Sequence, residues 1–358
     1  MLAREKRLPV TLLTGFLGAG KTTLLNQILS GDDGPKIAVI VNEFGEAGLD
    51  HDLIETVGEE IVLMQSGCLC CSVRGDLSRT LQDLMIRRQT WRVKFDRVVI
   101  ETTGLADPGP ILQTFLADQY LAKKFRLDGV VTVADAATGP ETLDRQFEAV
   151  SQVAMADLIV ISKTDLVSEI AANDFENRLR TLNLTASIIK ADKGVVPVAL
   201  LWNLGGMNRA GDTTQALSWL TPQPAPDLMD NLSGLAPQSA PDVLPHAHDV
   251  RIGSASIVLN DPIPPAAFDL WLDTLIKLRG PDILRAKGIV HLVDIKTPFV
   301  FHGVQHLFDP PVPLRDWPGG NTQSRVVVIA RDMTNPELNR SLEMLRAQQS
   351  TTSEALTL

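Results

Sequence analysis

The chain of 358 residues exceeds the usual size of one hydrophobic core, so its length favours two domains. Hydrophobic residues make up 44% and charged residues 21%, which is typical of a folded globular protein and excludes a largely disordered chain. A net charge of −10 argues against a nucleic-acid partner, because binding to a phosphate backbone requires clustered Lys and Arg. No export signal and no apolar run of membrane-spanning length is evident, so we expect a cytoplasmic protein without a membrane partner.

Short apolar runs alternate with amphipathic stretches in the first half of the chain. The runs predict buried strands at residues 10–14, 37–41, 98–100, 130–133 and 158–161. The stretches between them predict helices, for example at 21–29 and 76–88. Because right-handed crossovers place such helices on both faces of a parallel sheet, we predict a doubly wound, mainly parallel α/β domain at residues 1–215.

The second half of the chain begins with a proline-rich stretch. Six prolines between residues 222 and 245 interrupt a polar sequence, which predicts an interdomain linker at 216–248. Strands are then predicted at 252–259, 289–296, 299–304 and 325–329, and helices at 266–278 and 336–346. These elements predict a smaller α+β domain at 249–347, followed by a disordered tail at 348–358.

Residues 15–22, GFLGAGKT, match the phosphate-loop pattern GxxxxGK[ST] between a predicted strand and a predicted helix. Glycines let successive backbone N–H groups face phosphate oxygens, Lys21 can reach the β- and γ-phosphates, and Thr22 can ligate Mg²⁺. The motif therefore predicts a P-loop NTPase fold and a nucleoside triphosphate ligand. Its predicted nucleotide-binding residues are Gly18, Ala19, Gly20, Lys21, Thr22 and Thr23.

A second part of the nucleotide site is predicted at the end of the strand at 98–100. A magnesium–phosphate site needs a carboxylate and a group that senses the γ-phosphate. Glu101 can hold a magnesium-bound water there. The backbone N–H of Gly104 can approach the γ-phosphate because glycine has no Cβ.

The sequence Ser162-Lys163-Thr164-Asp165 follows the predicted strand at 158–161. Carboxyl ends of parallel strands are where doubly wound sheets bind ligands. Asp165 can accept hydrogen bonds from guanine N1–H and the exocyclic amine, whereas adenine has no N1–H, and Lys163 can lay its stem along the base. This order predicts GTP as the nucleotide. The usual guanine motif has asparagine at the position of Ser162, and serine can replace part of its hydrogen bonding to the loop.

All three cysteines of the chain, Cys68, Cys70 and Cys71, lie within four residues. A disulfide framework is excluded, and such crowding favours a metal site over packing or a redox pair. Three thiolates suit Zn²⁺ in tetrahedral coordination, with a fourth ligand from Glu43, His51 or water. Residues 42–50, NEFGEAGLD, have the glycine content of a segment that can reorder around a nucleotide. Such a change would link the nucleotide state of the protein to its affinity for the metal.

The motifs GFLGAGKTT, VNEFGEAGLD, GCLCC, IETTGLADP and SKTD, in this order, resemble the CobW-type family of metal-chaperone GTPases, which includes CobW-, UreG- and HypB-like proteins. Residues from 251 onward also resemble the C-terminal domain of that family. The resemblance implies that Cys68, Cys70 and Cys71 bind the metal and that Lys163 and Asp165 bind guanine. The chain lacks a long histidine-rich tract, and only the two histidines at 246 and 248 lie in the linker.

The function that the resemblance implies is a cytoplasmic, Mg²⁺-dependent GTPase that delivers zinc or a similar metal to a client metalloprotein. Family members also serve cobalamin synthesis or nitrile hydratase activation, which are alternative functions for this chain. A homodimer that forms in response to nucleotide or metal is a further expected partner state. The competing interpretations are a P-loop kinase with structural cysteines and a regulatory module that binds nucleotide without releasing phosphate. His302 and His306 could line a client or metal surface, although backbone partners are the commoner role of such residues.

The predicted reaction is phosphoryl transfer to water. The groups predicted to carry it are Lys21, Thr22 and Glu101, together with magnesium and the loop amides, because positioning and charge neutralisation dominate this chemistry. No glutamine or arginine is an obvious partner for the attacking water. We therefore expect slow intrinsic turnover that a metal or a partner accelerates.

Overall fold

The computed structural model describes residues 7–30, 35–42, 63–65, 73–191, 195–204, 252–308, 311–314 and 323–347. Among these residues, no helix has both the length and the apolar character that crossing a membrane requires. The predicted linker at 216–248, the cysteines and the predicted tail lie outside the described residues.

In the N-terminal half, the described strands form one sheet in the order β3-β2-β4-β1-β5-β6-β7, in which every pairing is parallel. The strands are β1 (Leu8–Gly15), β2 (Ile37–Asn42), β3 (Leu63–Gln65), β4 (Arg97–Thr102), β5 (Phe125–Asp135), β6 (Leu158–Ser162) and β7 (Ser187–Lys190). The helices are α1 (Lys21–Leu29), α2 (Val73–Gln89), α3 (Gly109–Ala117), α4 (Gln119–Lys124), α5 (Gly139–Arg145), α6 (Phe147–Ala154) and α7 (Glu169–Leu182). The predicted doubly wound sheet and its predicted strands and helices are confirmed.

The helices cover both faces of this sheet, as the near-continuous apolar strands require. On one face, Leu24, Leu25 and Ile28 of α1 pack against side chains of the central strands such as Val99 and Val131. On the other face, α2 and α3 pack against a separate cluster of strand residues. Each fully buried aliphatic side chain contributes about 1.5–3 kcal/mol, so the two layers fix the sheet firmly.

The register of the strands brings their carboxyl ends to one edge of the sheet. Leu13 of β1 lies beside Glu101 of β4, and Gly15 lies beside Val133 of β5. Asp135, the last residue of β5, lies beside Ser162 of β6. The residues that end these strands therefore form a single functional edge.

The C-terminal half contains an antiparallel sheet in the order β11-β10-β9-β13-β8, with β12 paired to β10. Its elements are β8 (Ile252–Leu259), α8 (Pro265–Arg279), β9 (Ile283–Val290), β10 (Phe299–Val304), β11 (Leu307–Phe308), β12 (Val312–Pro313), β13 (Ser324–Arg331) and α9 (Asn335–Ala347). The predicted α+β character of this half is confirmed.

Side chains alternate between the two faces of this second sheet. Val326 and Val328 of β13 pack in the cluster that includes α8 and α9. Val327 and Ile329, which point the other way, belong to the cluster of the N-terminal half that includes α2 and α3. The second sheet therefore shares a hydrophobic core with the first half of the chain.

The predicted strand at 289–296 is wrong. The strand is Ile283–Val290, and the residues after it form turns and bends apart from an isolated bridge between Leu292 and Ile263. Arg285 and Lys287 interrupt the apolar pattern of β9, so the sequence pattern misplaced the strand. Both cations are buried because Asp157 of the N-terminal half lies opposite them.

Candidate functional site

The phosphate loop connects the end of β1 to the start of α1, at the functional edge of the sheet. Gly18 and Gly20 have φ angles of 72° and 99°, a backbone conformation that glycine adopts without steric cost. Gly20 is also the N-cap of α1, so the unpaired N–H groups of the first helical turn face the loop. This geometry suits binding of an anion at a helix N-terminus.

Lys21 and Thr22 begin α1 and extend from the loop in different directions. The ammonium group of Lys21 donates to the backbone carbonyls of Gly15 at 3.0 Å and Phe16 at 3.2 Å, so the side chain folds over the loop. The hydroxyl of Thr22 donates to Oε1 of Glu101 at 3.1 Å. A hydroxyl and a carboxylate are therefore in contact at the residue that follows the loop lysine, and these are the groups that a magnesium–phosphate site uses.

Glu101 comes from β4, between β2 and β1 in the sheet, and only 6% of it is exposed. The loop that follows β4, residues 103–108, packs directly against the phosphate loop. A Cβ at Gly104 would lie 2.5 Å from the backbone nitrogen of Leu17, so a side chain at this position is sterically excluded. Gly104 is thus in backbone contact with the phosphate loop.

The predicted base motif begins at the last residue of β6. The hydroxyl of Ser162 donates to the carbonyl of Ala19 at 2.6 Å, which links the motif to the phosphate loop. Serine thus provides one hydrogen bond to that loop from the position where asparagine is usual. Lys163 has a φ of 55°, and Asp165 is exposed in the short 3₁₀ helix Thr164–Leu166, where its carboxylate is open to a ligand.

Asp135 joins this site from the end of β5. Its carboxylate accepts from the Lys163 ammonium at 2.8 Å, from the Ala137 N–H at 2.7 Å and from the Thr138 hydroxyl at 2.9 Å. Burial alone would raise the pKa of Asp135, but these hydrogen bonds and the Lys163 charge outweigh it and hold the pKa below its usual value. Asp135 stays ionised and fixes the position of Lys163.

The remaining predicted site residues lie outside the described residues. These are Glu43, His51, Cys68, Cys70 and Cys71, together with most of the segment at 42–50. The described flanks of the cysteines are the end of β3 at Gln65 and the start of α2 at Val73. Because β3 runs parallel to β2 and β4, Gln65 ends at the same edge of the sheet as the phosphate loop.

The histidines of the C-terminal half occupy different environments. His291 and His302 are buried, and burial lowers the pKa of His291. His306 is exposed in the turn between β10 and β11. Within the described part of the chain, no three His, Cys, Asp or Glu side chains come together as a metal site.

Comparison with known proteins identifies the family. A family model for the CobW/HypB/UreG nucleotide-binding domain matches residues 9–190, and one for the cobalamin synthesis protein CobW C-terminal domain matches residues 252–346. The zinc chaperone YjiA of Escherichia coli K12 is 34% identical over 337 residues, which cover 94% of this chain and 98% of that protein. The chain belongs to the CobW/HypB/UreG family. The family resemblance of the motifs is therefore confirmed.

Further matches are found both in sequence and in structure. Zinc-regulated GTPase metalloprotein activator 1 of Schizosaccharomyces pombe is 42% identical over 193 residues, or 52% of this chain and 46% of that protein. The crystal structure of Zn(II)-bound YjiA GTPase from E. coli matches with a TM-score of 0.72 at 29% identity, over 95% of this chain and 99% of that one. The likeness to YjiA extends through both halves of the chain.

Two residues near the site were not predicted from the sequence. Asp135 is the last residue of β5, and Glu101 is the second-last residue of β4. Asp135 could therefore have been found by the same rule, that the carboxyl ends of parallel strands meet at one edge of the sheet. Gln152, on α6, donates to the carbonyls of Gly104 and Ala106. Nothing in the local sequence signals its contact, because 46 residues separate it from Ala106.

Proposed function

We propose that this protein is a Mg²⁺-dependent GTPase that carries zinc and delivers it to a client metalloprotein in a nucleotide-dependent way. The observation that carries the GTPase part is the contact of Thr22 with Glu101 beside Lys21, at the N-terminus of α1. In this arrangement Thr22 would hold Mg²⁺ through its hydroxyl, and Glu101 would help to hold it from the end of β4. Magnesium, when bound, neutralises charge on the β- and γ-phosphate oxygens.

The protein residues act by positioning and by charge. Lys21, which already lies over the loop carbonyls of Gly15 and Phe16, stabilises the charge that develops on the transferred phosphoryl group. Backbone N–H groups of the loop and of the first turn of α1 bind the remaining phosphate oxygens. Water then attacks the γ-phosphorus, and GDP and inorganic phosphate are the products.

Guanine selectivity is proposed for Asp165. Its exposed carboxylate can accept two hydrogen bonds from guanine N1–H and the exocyclic amine, whereas adenine would leave a charged acceptor unpaired. Ser162 and Asp135 support this role, since they fix the start of the motif to Ala19 and fix Lys163. In a nucleotide competition, GTP must displace a labelled guanine nucleotide at far lower concentration than ATP. Preference for ATP would favour a P-loop kinase instead.

Zinc is the proposed cargo, with Cys68, Cys70 and Cys71 as its thiolate ligands and Glu43 as a candidate fourth ligand. The proposal rests on these residue types and on the zinc chaperones among the relatives. Gln65 and Asn42, the last described residues before the cysteines and before Glu43, end their strands at the edge that holds the phosphate loop. Both segments therefore begin at the edge of the sheet that carries the phosphate loop.

The decisive experiment measures zinc stoichiometry and affinity with a non-hydrolysable GTP analogue or GDP bound. We expect one zinc per chain and an affinity that differs between the two nucleotides by about 5-fold or more, the usual range of coupled sites. Cys70→Ser should weaken zinc binding strongly and leave the affinity for GTP, measured without zinc, unchanged. Equal zinc affinity in both nucleotide states would rule out nucleotide-dependent delivery.

A further inference from the structure

The loop at residues 103–108, called the β4–α3 loop below, is held in place by α6. Gln152 Nε2 donates to the carbonyl of Gly104 at 3.1 Å and to the carbonyl of Ala106 at 3.0 Å. The neighbouring Ser151 hydroxyl donates to Oδ1 of Asp107 at 3.4 Å. Only 1% of Gln152 is exposed, so water does not compete for these hydrogen bonds. One turn of α6 therefore fixes the loop at Gly104, Ala106 and Asp107.

This restraint matters most at Gly104. Glycine has a wide choice of backbone conformations, so its peptide groups keep one orientation only if other residues hold them. The Gln152 amide holds the carbonyl of Gly104, while the backbone of Leu17 packs against the position where a Cβ would lie. The bonded carbonyl belongs to the Gly104–Leu105 peptide, and the Leu17 contact restricts the Cα of Gly104. Together these contacts limit rotation at Gly104 and so restrict the backbone N–H that is proposed to face the γ-phosphate.

The end of α6 is in turn held by the C-terminal half of the chain. The guanidinium of Arg285, on β9, donates to the carbonyl of Met155 at 2.7 Å and to Oδ1 of Asp157 at 2.6 Å. Met155 directly follows α6, so it lies within one turn of Gln152. Oδ2 of Asp157 also accepts from the N–H of Val130 on β5 at 3.0 Å. Arg285 therefore fixes the C-terminal end of α6 against the central sheet.

The other end of the β4–α3 loop leads to the same half of the chain. The loop continues into α3, and Gln113 of α3 donates to the side-chain carbonyl of Gln305 in the turn between β10 and β11. The two helices that contact the loop are thus both linked to the C-terminal half. Helix α3 is linked through Gln113 and Gln305, and α6 is linked through Arg285. A shift of this sheet would move the loop from both sides.

We propose that Gln152 is a positioning residue for the γ-phosphate, acting through Gly104, and that Arg285 couples its helix to the C-terminal half of the chain. The inference rests on the proposed GTPase function. Only GTP carries a γ-phosphate, so loss of this coupling weakens binding of GTP and leaves binding of GDP nearly unchanged. By linkage, GTP and a partner that alters the Arg285 contact on binding the C-terminal half change each other's affinity by the same factor.

The test compares Gln152→Leu and Arg285→Met with the wild-type full-length chain. Gln152→Leu keeps most of the side-chain volume and removes the amide, and Arg285→Met removes the guanidinium and keeps an unbranched stem. Dissociation constants are measured for a non-hydrolysable GTP analogue and for GDP, with Mg²⁺ present. In both variants we expect the affinity for the analogue to fall about 5-fold or more, with the affinity for GDP within twofold.

A matched control is available in Arg178→Met. Arg178, on α7, also donates to one backbone carbonyl, that of Pro140, and to one carboxylate, that of Asp144. Neither partner lies in the β4–α3 loop or in the C-terminal half. Loss of the Arg178 guanidinium should therefore leave the ratio of the affinities for the GTP analogue and GDP unchanged. In the double variant Gln152→Leu/Arg285→Met, the fold loss of affinity for the GTP analogue should be smaller than the product of the two single losses. The reason is that the two residues act on the same loop in series.

The outcomes separate the coupling from the GTPase proposal. If the wild-type chain does not bind the GTP analogue, the GTPase proposal fails. If the wild-type chain binds it and both variants keep the wild-type ratio of affinities, or lose both nucleotides equally, the coupling is wrong while the GTPase proposal stands. If Arg285→Met does not fold, Gln152→Leu and Gln305→Ala decide by the same measurement, and an unchanged ratio in both overturns the inference.

Discussion

At the scale of single residues, the proposed magnesium site depends on a contact between two distant parts of the sequence. Thr22 lies in the phosphate loop motif, and Glu101 lies 79 residues later at the end of β4. Both residues were predicted from the sequence, because each follows a recognisable buried strand and parallel strands end at one edge. Their separation of 3.1 Å is a property of the sheet register, which places Glu101 beside Leu13.

Replacement of Glu101 by Gln tests the role of its charge. Gln keeps the size and can still accept the Thr22 hydrogen bond, but it attracts a magnesium-bound water less strongly. We expect GTP hydrolysis at saturating GTP to fall about 10- to 100-fold and to require more Mg²⁺, as is usual when a group that orients a metal ligand is lost. Phosphate release measured across a Mg²⁺ titration checks this. Glu169→Gln, at an exposed position on α7, should behave as wild type, and a similar loss there would contradict the assignment.

At the scale of elements, the short helix α4 illustrates how a cap decides where an element begins. Asp118 Oδ1 accepts from the backbone N–H groups of Tyr120 at 2.8 Å and Leu121 at 3.1 Å. Burial alone would raise the pKa of Asp118, but the Ser78 hydroxyl and these two N–H groups hold it below the usual value. The same carboxylate thereby ties α2, which carries Ser78, to the start of α4.

Asp118→Ala should lower the free energy of unfolding by about 1 kcal/mol, the usual effect of losing an N-cap. In Asp118→Asn, which retains a hydrogen-bond acceptor, the free energy of unfolding should fall by less than half of that amount. Urea denaturation at pH 7 gives both values. Because the folded pKa lies below the unfolded one, the contribution of the carboxylate is present above the unfolded pKa and is lost as the pH falls through the folded pKa. Equal stability of wild type and Asp118→Ala would show that the cap contributes nothing.

At the scale of the whole molecule, the two halves are joined by buried charges as well as by apolar packing. Lys287 and Arg285 project from β9 toward Asp157, at N–O distances of 3.7 Å and 2.6 Å. Burial lowers the pKa of Lys287 to about 7, and the Arg285 charge acts in the same direction, whereas Asp157 opposes it. Lys287 is therefore far less basic in the folded chain than in the unfolded chain.

This difference predicts a pH dependence of stability. Between pH 7 and the ordinary lysine pKa of about 10.4, the unfolded chain binds a proton at Lys287 that the folded chain lacks. The contribution of this group to the free energy of unfolding therefore rises with pH through this window. Lys287→Met should remove that rise, so the stability gained from pH 7 to pH 9 should be smaller than in wild type. Denaturation midpoints at the two pH values check it.

Lys277→Met provides the control for this measurement. Lys277 is exposed on α8 and pairs with Asp273 one turn away, so its loss should leave the pH dependence of the wild type intact. An identical pH dependence in Lys287→Met and wild type would show that Lys287 keeps an ordinary pKa in the folded chain.

The sequence by itself determined the parts of this protein that depend on local patterns. Apolar runs located five of the seven described strands of the parallel sheet, all except the edge strands β3 and β7, and the phosphate loop motif gave Lys21 and Thr22. The order of the motifs also identified the family, which the match over residues 9–190 confirms. These features are readable because a buried parallel strand is a short apolar run and because a phosphate loop needs glycines at fixed positions.

Only the tertiary structure decided the features that depend on contacts across the chain. Ser162 contacts Ala19 over 143 residues, Gln152 contacts Gly104 over 48, and Arg285 contacts Asp157 over 128. β9 was misplaced for the same reason, since its two cations are compatible with a buried strand only when an acidic partner lies opposite. Polar side chains carry no periodic signal of their distant partners, so their roles become visible only once the sheets bring those partners together.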